Sequence, residues 1–336
     1  MKGELATKPQ PAKTDNLVLQ VRDLKTYFFT KRGVGKAVDG VSFDLKQGET
    51  LGLVGESGCG KSMTALSIMR LNPKPASRIV GGQVVFQGED LLQKRESEMR
   101  RYRGKHISIV LQDPMTTLNP VFTIGDQVYE SLRLHQGLRG RTLKERAIQL
   151  LHMLRIPDPG ARLSSYPYQF SGGMRQRAVG AIALSSSPEI LIADEPTTAL
   201  DVTIQAAYLE LLKEIQQQAN LCIIFITHDF GVVARMCDRV AVMYAGKIVE
   251  TADTKTLFKS PAHPYTEALL NSVPDVKERV TRLYSIEGQP PPIYNLNPGC
   301  PFANRCPYVQ SRCWEDFPPQ KELAPGHAVS CWRYLE

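Results

Sequence analysis

The chain has 336 residues, 42% of them hydrophobic and 22% charged, an ordinary globular composition with length enough for one broad core plus an appendage, or for two domains. No run reaches the about 18 apolar residues of a membrane-spanning helix. Residues 1–16 carry lysines and prolines but no apolar centre, so neither a secretory signal nor an anchor is expected there, only a flexible lead-in to a cytosolic chain. Lys and Arg (41) outnumber Asp and Glu (34), and the net charge of +7 suits nucleic acid or an anionic membrane surface without choosing between them. The basic cluster Arg100, Arg101, Arg103 and Lys105 lacks the interleaved aromatics of a base-stacking platform and reads as a solvated face.

Leu17 to Val21 alternates apolar and polar residues as a strand does, Leu24 to Phe29 continues it, and Ala37 to Leu45 reads as an antiparallel partner. An aromatic at the end of the first strand is placed to stack on a purine ring. Phe28 is favoured over Tyr27, with a core-facing ring as the alternative. Thr50 to Val54 is a short buried strand, and after it comes Gly55-Glu56-Ser57-Gly58-Cys59-Gly60-Lys61-Ser62, followed by helix formers from Met63 onward. This is the phosphate-loop pattern in its required strand-to-helix setting. Glycines let backbone N–H groups approach phosphate oxygens, and the helix N-terminus adds positive potential. Lys61 neutralises terminal phosphates and the Ser62 hydroxyl sits on magnesium.

Gln83 to Phe86 and Ile107 to Leu111 are further strands, the second ending at Gln112. From about 123 to 187 the apolar spacing is helical, with Val128 to Leu134 and Leu143 to Leu154 as clear segments, so this stretch is a helical insertion. It closes on Ser171-Gly172-Gly173-Met174, where the serine and glycines cap a helix running to Leu184 and offer a second set of backbone donors. Ile190 to Ala193 is a buried strand closed by Asp194 and Glu195, acids suited to hold magnesium and to accept a proton from an attacking water, respectively. After Asp201 a helix runs from Thr203 to about Gln218. The strand Leu221 to Ile226 then stops at His228, where ligands bind in open α/β sheets, and Val240 to Glu250 folds as a hairpin.

In this order and spacing, the loop 55–62, Gln112, Ser171 to Met174, Asp194-Glu195, Asp201 and His228 resemble the ATP-binding cassette of ABC transporters over roughly 17–258. The resemblance implies an α/β P-loop NTPase (RecA-like) core with an antiparallel β subdomain and a helical subdomain at about 123–187. It makes Gln112 the Q-loop residue touching magnesium and the attacking water. Ser171, Gly172, Gly173 and Met174 become the signature that closes on ATP held by another subunit, with Asp201 near the joint. Asp194 becomes the magnesium carboxylate, Glu195 the general base and His228 the switch that senses the γ-phosphate. Met174 and Met63 depart from the residues common at their positions, but neither removes a group the chemistry needs.

Residues 259–336 form an extension in which Pro261 to Leu270 resembles that of oligopeptide and dipeptide import ATPases. Its segment Cys300-x5-Cys306-x6-Cys313-x17-Cys331 is rich in proline and short of apolar mass, which calls for a cross-link or a metal. The residues alone leave zinc and an iron-sulfur cluster open, and the resemblance favours a 4Fe-4S cluster on these four cysteines. The implied protein hydrolyses MgATP at the cytoplasmic face of the membrane to import dipeptides or oligopeptides. Its implied partners are a second homologous ATPase subunit, two transmembrane permease subunits and an external peptide-binding protein, with no nucleic acid. A soluble ATPase acting on nucleic acid or ribosomes, an importer of another small solute such as nickel, and a redox-sensing module stand as the alternatives.

Overall fold

The computed structural model describes residues 16–198, 200–273 and 285–335, so the expected lead-in lies, but for Asn16, outside the described residues. Twelve strands occur among them. Those of the first half are β1 (Leu17–Thr30), β2 (Gly33–Lys46), β3 (Thr50–Val54), β4 (Ser77–Phe86), β5 (Glu89–Asp90) and β6 (Ile107–Val110). The second half adds β7 (Ile190–Asp194), β8 (Cys222–Thr227), β9 (Arg239–Tyr244), β10 (Lys247–Asp253), β11 (Lys321–Ala324) and β12 (His327–Val329).

One sheet is antiparallel, in the order β2-β1-β4-β5. The two apolar runs at its start are a single strand: the pairing of β1 with β2 slips between Val21 and Leu24, where Asp23 takes a φ of 47°, so the break in alternation is a bulge and not a turn. The other sheet has the order β11-β12-β10-β9-β3-β8-β7-β6, with β6, β7, β8, β3 and β9 parallel and the last three strands antiparallel. Its central strands are apolar on both faces because both are covered. Ile190, Ile192, Ile224 and Ile226 pack with Leu51, Leu53 and the antiparallel sheet, while Leu191, Ala193, Ile223 and Phe225 face the helical layer.

That layer includes the insertion. Its helix Ile124–Gln136 starts on Thr123, whose Oγ1 accepts from the Asp126 N–H (3.1 Å) while the Asp126 carboxylate accepts from Thr123, a reciprocal cap. Helices Gly140–Met153 and Gly172–Leu184 complete it, and Leu132, Ala147, Leu151 and Ala181 join one core with the sheet.

The parallel register decides where the chemistry gathers. Val54 lies beside Thr227 and Asp194 beside Ile226, so β3, β7 and β8 end at one edge, and the loop 55–62, Glu195 and His228 emerge there together.

The extension is built onto this body. Helix Pro264–Asn271 begins at His263, whose Nδ1 accepts from the Tyr265 N–H (3.1 Å). Phe302 packs edge-on to Tyr244 of β9 and tilted against Tyr265, ring centroids 5.3 Å away in each case. Strand β12 pairs with β10 and β11 pairs with β12, and together they lengthen the main sheet.

This arrangement corrects the expectation of a 4Fe-4S cluster, or zinc, at Cys300, Cys306, Cys313 and Cys331. Among the described residues no group of three or more His, Cys, Asp or Glu side chains is placed to hold a metal ion. Burial pushes the Cys300 thiol up to about 12 and raises Cys306 and Cys331 as well, and these side chains line a small pocket with Phe302 and Trp332. The inference from weak apolar mass failed because it treated the extension as a separate core. Its aromatic anchor Phe302 joins the core of the main body instead, and β12 is held by pairing with β10.

Candidate functional site

All five residues of β3 are buried, so the chain leaves the sheet rigidly at Val54 and turns through residues 55–60 before the helix Lys61–Ile68 begins. Gly60 caps that helix with φ 109°, and a Cβ there would stand 2.3 Å from the Ala37 carbonyl oxygen, so both backbone and space exclude any larger residue. The Lys61 ammonium folds over the loop, donating to the carbonyls of Gly55 (2.7 Å) and Glu56 (3.0 Å). Residues 55–58 and 60–63 line a cleft of about 630 Å³, a volume suited to a nucleotide-sized ligand. Cys59 does not line the cleft: its side chain is buried in the core below, and that burial raises its thiol pKa.

Phe28 lines the same cleft. Tyr27 does not, because its hydroxyl donates to Asp39 Oδ1 (2.5 Å).

Asp194 ends β7 with 4% exposure, and its Oδ1 is buried without a hydrogen-bond partner. Burial raises its carboxyl pKa, opposed by a hydrogen bond from Ser62. A buried carboxylate oxygen with an open lone pair beside a hydroxyl is a hard, all-oxygen donor set, which fits magnesium. Replacing the acid should therefore have opposite effects with and without the metal. Because the folded state holds the Asp194 proton more tightly than the unfolded one, the charged form destabilises the metal-free fold increasingly as pH rises above about 4. Asp194→Asn is expected to raise the metal-free melting temperature at neutral pH by about 3 °C, an advantage that fades in acid, and to abolish further stabilisation by MgATP. Thermal melts with and without MgATP check both signs.

Glu195 follows with φ 46°, its N–H donating to the Ile226 carbonyl (2.9 Å). Such a left-handed conformation is uncommon for a non-glycine residue and here turns the carboxylate from the strand toward the cleft. Three side chains hold it: Gln112 Nε2 (3.0 Å) and Thr198 Oγ1 (3.1 Å) donate to Oε2, and His228 Nδ1 lies 3.2 Å from Oε1. Gln112, Thr198 and His228 line the cleft with Glu195. The structure thus brings together residues distant in sequence that were singled out separately. Thr198 was missed, as were Leu269 and Ile293 of the extension.

The Ser171 to Met174 segment does not reach this cleft. Ser171 caps the helix Gly172–Leu184, its Oγ accepting from the Met174 N–H (3.4 Å), and Ser171 and Gly172 are exposed. Asp201 likewise caps the helix Val202–Ala219, accepting from the Ile204 N–H (3.0 Å) at the surface.

A phosphate loop, a buried metal-type carboxylate and a restrained glutamate on a P-loop α/β core define an ATPase of the ABC class. The ABC transporter family model matches residues 38–198, and that of the oligopeptide/dipeptide transporter C-terminal region matches residues 249–313. The chain is 52% identical to a probable peptide ABC transporter ATP-binding protein of Sinorhizobium fredii, over 96% of each chain. It is 51% identical to the dipeptide transport ATP-binding protein DppD of Bacillus subtilis, over 94% of each. Among solved structures, a dimeric post-hydrolysis ATP-binding cassette bound to ADP and Pi superposes with a TM-score of 0.63 at 25% identity, covering 70% of this chain and 98% of that one. The chain belongs to the family of ATP-binding subunits of peptide ABC transporters, and it is an ATPase.

Proposed function

We propose that this chain hydrolyses MgATP at the inner face of the cell membrane to power import of dipeptides or oligopeptides, through residues 17–258 as the ATPase unit and 259–336 as a transporter-specific extension. No helix among the described residues is long and apolar enough to cross a membrane, and in this reading permease subunits supply the passage for the peptide. The observation that carries the reading is the convergence of Gln112, Thr198 and His228 on the Glu195 carboxylate across the cleft from Lys61.

In this reading Phe28 stacks on the base, and Lys61 with the loop N–H groups holds the phosphates and stabilises the charge that grows as the terminal phosphoryl departs. Ser62, Gln112 and Asp194 hold magnesium, which when bound neutralises phosphate charge. Glu195 accepts the proton of the attacking water, with Gln112 and His228 keeping its carboxylate in place and sensing the γ-phosphate. Ser171, Gly172, Gly173 and Met174, exposed on their own chain, complete the cleft of a second, homologous ATPase subunit, with Asp201 at the joint. Two membrane permease subunits dock near Gln112, and an external peptide-binding protein delivers the cargo.

The test is reconstitution with the permease subunits in liposomes. ATP hydrolysis is expected to rise severalfold when peptide-loaded binding protein is added outside. An unchanged rate, with nickel-loaded protein or RNA stimulating instead, would overturn the peptide assignment.

A further inference from the structure

Besides Leu269 in the cleft wall, the extension meets the nucleotide cleft at two places. At one, the Ile293 carbonyl accepts from the Lys36 N–H (3.0 Å), so the chain runs along β2, the open edge of the antiparallel sheet. Gly35 pairs across β1 with Phe28, and a Cβ on it would stand 2.9 Å from Ile293 Cδ1 and from Tyr294 Cε1. The strand is bare at Gly35 because the extension lies on it. Ile293 and Phe28 both line the cleft, and the Ile293 side chain lies against Gly35, the strand partner of Phe28.

At the other place, the extension grips the phosphate loop through Glu56. The Glu56 N–H donates to Tyr265 Oη (2.8 Å), and its carboxylate receives Arg305 in a two-pronged pair (2.7 and 3.0 Å). Arg305 is 3% exposed along its side chain and also donates to the Ile286 and Glu287 carbonyls and to Tyr244 Oη. Tyr265 is fully buried, its ring centroid 4.5 Å from that of Tyr244, so both partners of Glu56 are fixed by the core. Glu56 in turn accepts from Lys61 through its carbonyl. A carboxylate lining a polyphosphate site opposes its ligand, and a buried guanidinium paired with it in this geometry cancels that charge.

We propose that the extension is a working part of its own chain's nucleotide site: Ile293 completes the base wall with Phe28, and Arg305, a positioning residue, neutralises Glu56 and sets the phosphate loop. This rests on the reading of the cleft as the MgATP site. Two ligands separate the roles, MgATP and magnesium tripolyphosphate, which lacks base and ribose, each titrated calorimetrically into the full chain, with the nucleotide-free melting temperature as a check on folding.

Ile293→Ala is expected to weaken MgATP by about five- to tenfold and to leave tripolyphosphate within about twofold. Arg305→Met is expected to weaken both by about tenfold, and adding Glu56→Gln to it should recover most of the loss, because the unpaired charge is then gone. A purely structural arginine would not be rescued that way. Equal changes for both ligands in Ile293→Ala, or no change, overturn the base wall. Failure of Glu56→Gln to restore binding overturns the neutralising role. Should Arg305→Met not fold, the two-ligand comparison in Ile293→Ala still decides whether the extension belongs to the site. Lys61→Ala is the control for the underlying reading: it should lose both ligands, and unaltered binding there would remove the site assignment itself rather than the extension's part in it.

Discussion

Glu195→Gln is expected to lower ATP turnover by about 10²–10⁴-fold while MgATP binding is retained or tightened. The substitution is isosteric, so the contacts from Gln112, Thr198 and His228 that fix the side chain can largely persist on an amide. What it loses is the ability to take a proton. Binding should survive because in the proposed site Lys61 and the loop N–H groups hold the phosphates, and removing a negative charge from the cleft lowers repulsion toward the nucleotide. Single-turnover hydrolysis beside equilibrium binding separates the two effects. Hydrolysis at the unsubstituted rate would move the general-base role away from Glu195.

Gln112→Ala should lower turnover more mildly, and because Gln112 also holds magnesium in the proposed site, it should weaken MgATP binding rather than retain it. It removes one of two donors to Oε2 and leaves Thr198 and His228 in place, so a loss nearer tenfold than a thousandfold is expected, read from the same single-turnover assay.

The nucleotide loop was legible because its demands are local. Gly60 must be glycine for its φ and for the nearby Ala37 oxygen, and Lys61 and Ser62 must follow it in sequence. Asp194, Glu195 and His228 were legible because parallel strands announce themselves as apolar runs, and their ends mark one edge of the sheet. Thr198 gave no signal of its own: a threonine after a turn acquires meaning only when Glu195 adopts its left-handed backbone and brings its carboxylate within 3.1 Å. Strands β11 and β12 were missed because they are short and partly polar: β12 is a strand because it pairs with the edge of β10, and β11, largely exposed, because it pairs with β12. The cysteines misled for the complementary reason. Their number and spacing suggested a metal-held unit, whereas Phe302 and Arg305 tie the segment to Tyr244, Tyr265 and Glu56, contacts that no spacing within residues 300–331 reveals.

Gly172→Asp tests the proposal that residues 171–174 complete the site of a second subunit. A Cβ at Gly172 meets nothing within 4 Å, and the residue has no positive φ, so the larger side chain fits without strain. It would stand at the first position of the helix Gly172–Leu184, where an acid favours the helix dipole by about 0.3–1 kcal/mol, so the fold should be as stable as before or slightly more so. Nucleotide binding by the isolated chain should also be unchanged, since Gly172 does not line that chain's own cleft. Yet a carboxylate among the exposed donors of this helix end would meet the γ-phosphate held by a facing subunit, turning a stabilising cradle into a repulsive one. The assembled transporter is therefore expected to lose about 10²-fold or more in ATP hydrolysis, with melting temperature and monomer binding intact. This pattern cannot arise from misfolding or from damage to the phosphate loop, so it isolates the contribution made across the joint. If the assembled protein carrying Gly172→Asp hydrolysed ATP at the unsubstituted rate, residues 171–174 of this chain would have no place at a shared site, and the dependence of turnover on a paired subunit would have to be sought elsewhere on its surface.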